Sequence, residues 1–280
     1  MINRIAFLGC GSMGEAILAG LLAGPLEPAA VVATVRRAER AEELALRHGV
    51  TAIANSEEAE ANSFAVAGAD VVVLGVKPAQ IAPLCREIAG ALGPETVVLS
   101  VAGAVTLEQI ERELPAGQPV VRTMPNTPLM VGRGVVALSL GSSVSEAQAK
   151  LAHQVFAESG VVLQVPEEQL AAIGAISGSG PAYAFYLAEA MATAARDFGL
   201  DEQTARILAN ETVAGAGLML AQDGADATAL RKAVTSPKGT TEQAIAVFDA
   251  QGLPGIVLAG AQAAARRSEV ITAELQNPSA

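Results

Sequence analysis

The chain has no tryptophan, and its 280 residues include only two tyrosines, six phenylalanines, two histidines and two cysteines. So few rings exclude a binder that stacks bases on aromatic platforms. Cationic charge is also scarce. Eighteen Lys and Arg stand against 29 Asp and Glu, and the net charge of −11 repels a phosphate backbone. The imbalance is even, with 11 basic against 16 acidic residues over 1–165 and 7 against 13 over 166–280. There is accordingly neither an acidic tail nor a basic arm. Cys10 and Cys85 cannot build a disulfide framework, and no secretory leader is evident, so the expected compartment is a reducing cytoplasm. No His-x3-His, Cys-x2-Cys or acid cluster suggests a metal. His48 and His153 have no acid close in sequence and read as surface residues. One uncharged run, Gln169 to Ala188, is long enough to span a membrane. Ser177-Gly178-Ser179-Gly180-Pro181 interrupts it, so it reads as a loop and then a buried helix.

Small residues are abundant: 58 Ala and 27 Gly. Over residues 1–165, short apolar runs alternate with helical segments. Strands are expected at Ile5–Leu8, Val31–Val35, Val71–Val76, Thr96–Val101, Val120–Thr123, Val135–Leu140 and Val161–Val165. Helices are expected at Glu15–Leu22, Arg40–His48, Ala79–Leu92, Leu107–Leu114 and Glu146–Ser159. Such alternation predicts a doubly wound parallel α/β sheet. Beyond Pro166 no β-branched run of strand length appears. Ala-rich helical segments cover 181–198, 202–222, 225–234, 241–250 and 254–276, with Asp201 and Thr240 as N-cap candidates. Two domains are thus expected, 1–165 and 166–280. The second is all-helical, with apolar residues on more than one helix face, as in a protein that associates with another chain.

Ile5-Ala-Phe-Leu-Gly9-Cys10-Gly11-Ser12-Met13-Gly14 runs from a strand through G-x-G-x-x-G into a helix. Gly9 allows the tight turn, Gly11 lets backbone approach a pyrophosphate, and Gly14 allows close helix packing. The helix start adds free N–H groups for the anion. The second strand ends in Thr34-Val35-Arg36-Arg37, with no acid before Glu39. Two guanidiniums suit the 2′-phosphate of NADPH, where an acid would favour NADH. A solvated arginine pair is the plainer alternative. Gly75-Val76-Lys77-Pro78, Val101-Ala102-Gly103 and Met124-Pro125-Asn126-Thr127-Pro128 follow three further strands and would border the cofactor, though each alone is only a turn. Met13 and Met124 read as packing residues. Thr235-Ser236-Pro237-Lys238-Gly239-Thr240-Thr241, between two helices, offers hydroxyls and a helix start to a carboxylate, or else is an ordinary N-cap.

Taken together, these stretches resemble the delta-1-pyrroline-5-carboxylate reductase family over about Asn3 to Ala273. The most specific stretch is Leu230 to Asp249. Gly9–Gly14, Val76-Lys77-Pro78, Met124–Pro128 and Ser177–Tyr183 match in order. The resemblance implies a Rossmann-like domain followed by a helical dimerisation domain. It further implies interlocked dimers whose active sites use both chains, commonly assembled into decamers. It implies NADPH-dependent reduction of a C=N bond to give L-proline, the last step of proline biosynthesis, with NADH a possible substitute. The cofactor would touch Gly9, Gly11, Ser12, Met13, Gly14, Arg36, Arg37, Val76, Lys77, Pro78, Ala102, Gly103, Met124, Pro125 and Asn126. An adenosine-contacting asparagine matches Asn62, with Asn55 as the alternative. Ser236 with the amides of Gly239 and Thr240 would hold the carboxylate, and the Thr241 hydroxyl would act catalytically on the ring nitrogen. Lys238 departs from the pattern, since many relatives have glycine there. Two rivals remain. A 3-hydroxyacid dehydrogenase would need a lysine where Ala184 stands, and an NADP(H)-binding sensor would keep the fold without turnover.

Overall fold

A computed structural model describes residues 1–276. The chain divides into two compact units, one of residues 1–178 with the stretch from Ala264 on, the other Ser179–Ala263.

In the first unit, elements follow in the order β1 (Ile5–Leu8), α1 (Ser12–Leu22), β2 (Val31–Val35), α2 (Ala38–His48), β3 (Thr51–Ala54), α3 (Ala61–Val66) and β4 (Val71–Leu74). Next come α4 (Ile81–Ile88), β5 (Val97–Ser100), α5 (Leu107–Glu111), β6 (Val120–Met124), β7 (Gly134–Leu140), α6 (Glu146–Gln154), β8 (Gly160–Gln164) and the short α7 (Leu170–Ile173). The eight strands form one sheet in the order β3-β2-β1-β4-β5-β6-β7-β8. Order reverses between β1 and β4, and the crevice at such a reversal is where open α/β sheets bind ligands.

Every described strand pair is parallel except β6 with β7, which is antiparallel with Thr123 opposite Leu138. The sheet is therefore mixed, not wholly parallel. The reason is length: only residues 125–133 separate the two strands, too few for the crossover that a parallel pair needs. β3 and α3 were not expected. The observed α4 and α6 are shorter than Ala79–Leu92 and Glu146–Ser159, and α4 is preceded by a 3-10 turn at Pro78–Gln80.

The strands read as apolar runs because both faces are covered. Alternate residues point to opposite sides. Ile5, Phe7, Val73 and Leu99 meet α1, α2 and α6 through Ile17, Leu18, Leu44 and Ala152. Ala6, Leu8, Leu74 and Val98 meet α3, α4 and α5 through Val66, Ile81, Ile88 and Ile110. Capping boxes open α5 (Thr106 with Gln109) and α6 (Ser145 with Gln148).

The run from Gln169 to Ala188 is not a loop and a buried helix. It continues from α7 through a π-helical turn, Gly174–Gly178, and then α8 (Gly180–Asp197) starts, in which no residue is buried. Pro181 sits at the helix start, where its missing N–H costs nothing. The remaining helices are α9 (Glu202–Leu220), α10 (Ala227–Ala233), α11 (Thr240–Ala250) and α12 (Leu253–Gln276). Asp201 caps α9 as expected, its carboxylate accepting from Thr204 N–H at 3.0 Å. Thr240 is not a cap. It is the first residue of α11, behind Gly239. No single described helix is long and apolar enough to cross a membrane.

Candidate active site

A cleft of about 740 Å³ opens at the β1/β4 reversal, a size suited to a cofactor. Gly9, Gly11, Ser12, Arg36, Arg37, Asn55, Asn62, Val76 and Lys77 all line it. Gly9 is obligatory: its φ is +74°, and an added Cβ would lie 2.4 Å from Val76 Cγ1. Gly75 leaves room for the same crossing, since its Cβ would lie 2.9 Å from Gly9 O. Gly11 is different. The nearest atom to an added Cβ is 3.9 Å away, so no protein packing demands a glycine there. Bare backbone facing open space is what a pyrophosphate needs. α1 also has no side-chain cap at Gly11, which leaves its opening N–H groups for an anion. Gly14 faces the turn rather than a strand, its added Cβ 3.4 Å from Cys10 Sγ. Met13 packs against the core, as its sequence context suggested.

Arg36 and Arg37 follow β2 on the rim, exposed and without an ion-pair partner among the described residues. Arg40, one turn into α2, also lines the cleft but is engaged by Glu15 at 2.5 Å and Glu43 at 3.0 Å. Glu15 further accepts from Arg47 at 2.5 Å and pairs with His48 Nε2 at 2.9 Å. Partial burial works to raise the Glu15 pKa, but the hydrogen bonds from Arg40, His48 and Arg47 prevail and hold it at about 2. His48 is consequently not a free surface residue. Its acid lies 33 positions away and arrives only when α2 packs on α1. Burial pushes the Cys10 thiol up to about 12, so it stays protonated.

Both candidate asparagines reach the cleft. Asn62 is buried. Its Oδ1 accepts from Thr34 Oγ1 at 2.6 Å and its Nδ2 donates to Glu87 at 2.9 Å. Asn55 instead has a buried Oδ1 with no partner. Lys77 is exposed on the cleft rim, and Pro78 begins the turn before α4.

The other predicted cofactor residues lie at the ends of β5 and β6. Ala102 is buried. The Met124 methyl fills the space that glycines leave on two sides, 2.9 Å from an added Cβ at Gly103 and 3.1 Å from one at Gly174. That supports its packing role. Pro125 and Asn126 are buried. The Asn126 side chain donates to Ser177 O at 3.0 Å and accepts from Val135 N–H at 2.8 Å. It pins two segments, and one amide hydrogen and one oxygen lone pair remain for a cofactor.

In the second unit, Ser236, Pro237, Lys238 and Gly239 form a tight turn closed by Gly239 N–H to Ser236 O at 2.9 Å. Lys238 takes φ +62°, the one positive φ among described non-glycine residues. Proline second and a left-handed residue third make a type II turn, whose third position favours glycine. Glu242 accepts from the Lys238 N–H at 2.8 Å. The Gly239 amide is therefore spent on the turn and is not free for a carboxylate. The amides of Thr240 and Thr241 start α11 with no side-chain cap, beside the Ser236, Thr240 and Thr241 hydroxyls. Among the described residues no group of three or more His, Cys, Asp or Glu could hold a metal ion.

Comparison with known proteins bears on both units. A family model described as pyrroline-5-carboxylate reductase dimerisation matches residues 167–271. One described as NADP oxidoreductase, coenzyme F420-dependent, matches residues 4–103. The pyrroline-5-carboxylate reductase of Pseudomonas aeruginosa is 38% identical over 273 residues, 97% of this chain and 98% of the relative. That of Mycobacterium tuberculosis is 40% identical over 289 aligned positions, 95% and 96% of the two chains. The solved pyrroline-5-carboxylate reductase of Coxiella burnetii superposes with a TM-score of 0.89 at 36% identity, covering 96% of this chain and 98% of that one. The Plasmodium falciparum enzyme, solved with NADP bound, shares the fold at 21% identity with a TM-score of 0.82, over 96% of this chain and 98% of that one.

Proposed function

The chain belongs to the pyrroline-5-carboxylate reductase family, and from that premise we propose how its residues divide the reduction of the C=N bond of 1-pyrroline-5-carboxylate to L-proline. The protein is an oxidoreductase of the NAD(P)H-dependent kind, and its helical part is a dimerisation domain. The observation that carries the division of labour is the cleft at the strand reversal. It combines an uncrowded Gly11, an uncapped helix start and two unpaired arginines in one place.

NADPH, when bound, supplies the hydride. The opening amides of α1, at Ser12, Met13 and Gly14, hold its pyrophosphate. Arg36 and Arg37 meet the 2′-phosphate, where an acid would repel it. Asn62, held by Thr34 and Glu87, borders the adenosine end of the cleft, with Asn55 as the alternative. Val76, Lys77 and Pro78 border the cleft from β4, and the Ala102–Gly103 and Met124–Asn126 turns border the nicotinamide end.

The substrate carboxylate takes the Ser236 hydroxyl and the amides at the start of α11. With Gly239 committed to the turn, Thr240 and Thr241 supply those amides. The Thr241 hydroxyl hydrogen-bonds the ring nitrogen and fixes its orientation. A protonated imine is already a good hydride acceptor, so positioning suffices and no strong protein acid is required. The domains divide near residue 165, just before the matched dimerisation stretch begins at 167, although the compact units part at residue 178. The active enzyme is a cytoplasmic homodimer that can assemble further to a decamer.

The test is direct. Purified chain with NADPH and 1-pyrroline-5-carboxylate oxidises NADPH and yields proline. Tight NADPH binding without turnover would mark a sensor instead. Exchanging Arg36 and Arg37 for alanine lowers the preference for NADPH over NADH, and an unchanged ratio refutes the 2′-phosphate assignment.

A further inference from the structure

One buried cation is not accounted for by binding. Arg122 lies in β6, opposite Ser100 of β5 and Ser139 of β7, with a side chain only 8% exposed. Burying a guanidinium costs several kcal/mol unless it is well paired. An apolar residue, such as the neighbouring Val120 and Val121, fits a central strand without that cost. What the arginine does differently is hold two segments at once.

One terminal nitrogen donates to the carbonyl of Gly103, in the turn that follows β5. The other donates to Glu167 Oε1 at 2.7 Å. That same carboxylate oxygen accepts the backbone N–H of Leu107, the first residue of α5, at 2.8 Å. Arg122, Gly103, Glu167 and Leu107 form a closed clip. Arg122 grips the turn at Gly103, and Glu167 grips the helix that ends the same turn. Residues 103–107 are thus tied at both ends to one charged pair, which is 8% and 29% exposed at its two side chains. Charge-assisted bonds in such a setting are about twice as strong as neutral ones.

We propose that Arg122, with Glu167, is a positioning residue for hydride transfer. It acts through the Val101–Leu107 turn, not by touching cofactor or substrate. This rests on the reading above that the turn borders the nicotinamide. A mis-set turn shifts the reacting atoms while leaving the phosphate contacts of α1 and the arginine pair intact. A displacement of about 1 Å can cost a rate on the order of 100-fold. The signature is therefore a loss in kcat with little change in cofactor affinity.

The test uses the full-length chain and two variants, Arg122→Lys, which keeps charge but cannot span both acceptors, and Glu167→Ala. The expected result is a kcat lower by about 10- to 100-fold, with the Kd for NADPH from fluorescence titration within about twofold of wild type. The primary isotope effect with NADPH deuterated at C4 rises, because chemistry becomes limiting. In the ligand-free chain, amide exchange at Leu107 and the preceding turn quickens. A fall in kcat with no rise in the isotope effect, or a loss that resides in Kd, overturns the proposal. So does unchanged amide exchange in the ligand-free variants, whether or not the wild type turns over the imine. Wild-type turnover separately judges the assigned reaction. If Arg122→Lys does not fold, Glu167→Ala, which leaves the buried strand residue in place, decides by the same criteria.

Discussion

The sheet unit and the helical unit solve opposite problems. Every residue of β1, β2, β4 and β5 is buried within its own unit, and two apolar clusters close the two faces of the sheet. In the helical unit, α8, α10 and α11 bury nothing, and α9 buries only Ala205 and Ala209. Phe185 is 70% exposed and Tyr186 73%, with Leu208, Leu218, Val247 and Ile256 also open. Each such side chain is worth about 1.5–3 kcal/mol when buried. A unit that leaves so many uncovered is one half of an interface, in keeping with the dimerisation family it matches. The abundant alanines suit this role, because small side chains let helices approach closely. The sheet unit finishes its core alone and uses polar groups for the ligand, whereas the helical unit depends on a partner for its core.

The largest effect should come from breaking that dependence. Phe185→Asp would bury a charge at a two-fold interface, twice per dimer, at several kcal/mol each. Light scattering should show monomers, and activity should fall at least 100-fold, while NADPH still binds. A dimeric, active variant would mean that α8 faces solvent in the assembly as well. The second effect belongs to the substrate turn. Thr241→Ala should lower kcat/KM by roughly 10- to 1,000-fold, about one transition-state hydrogen bond or somewhat more. Unchanged kinetics would remove Thr241 from the mechanism.

The two units were also unequally legible in sequence. Helices of the second unit were readable to within a few residues, since Pro, Gly and Asp punctuate long periodic stretches. In the sheet unit the glycine turn, the arginine pair and most strands were plain, because each is a local pattern. β3 was missed because Thr51-Ala52-Ile53-Ala54 is short and half alanine, a weak strand signal. The antiparallel turn of β7 was available from the short 125–133 connection but not from apolar runs. Clusters assembled from distant positions were out of reach. Glu15 meets His48 across 33 positions, and Arg122 meets Glu167 across 45. The commitments of Gly239 and Asn126 are likewise hydrogen-bond facts that residue type does not reveal.

A third prediction probes the Glu15 cluster that ties α2 to α1. Its carboxyl is held at about 2 in the fold against an ordinary 4.5. A depressed carboxylate pKa stabilises the fold fully above the unfolded value, and that share is lost as pH falls from about 4.5 through 2. At neutral pH it amounts to about 2 kcal/mol, allowing for the partial exposure of the group. Urea denaturation should therefore find Glu15→Gln less stable by that amount at pH 7, with the gap closing below pH 4.5. A gap that stays constant down to pH 3 would show that ionisation of Glu15 is not the source.

The smallest effect sharpens the contrast most finely, because it sits in the one strained turn of the partner-dependent unit. Lys238 holds φ +62°, where a side chain costs about 1–2 kcal/mol. Glycine would remove that strain but lose more entropy on folding, about 0.5–1 kcal/mol. The net gain for Lys238→Gly is then about 0.5–1 kcal/mol, seen as a rise in Tm of a degree or two. The lysine also places an exposed charge beside a turn read as carboxylate-binding, where such a charge is worth at most about 1 kcal/mol. The same variant should accordingly raise the KM for the anionic substrate a few-fold and leave kcat alone, and adding salt should erase the KM difference but not the Tm difference. Should both shifts vanish together in salt, strain and charge would not be separate contributions at this residue.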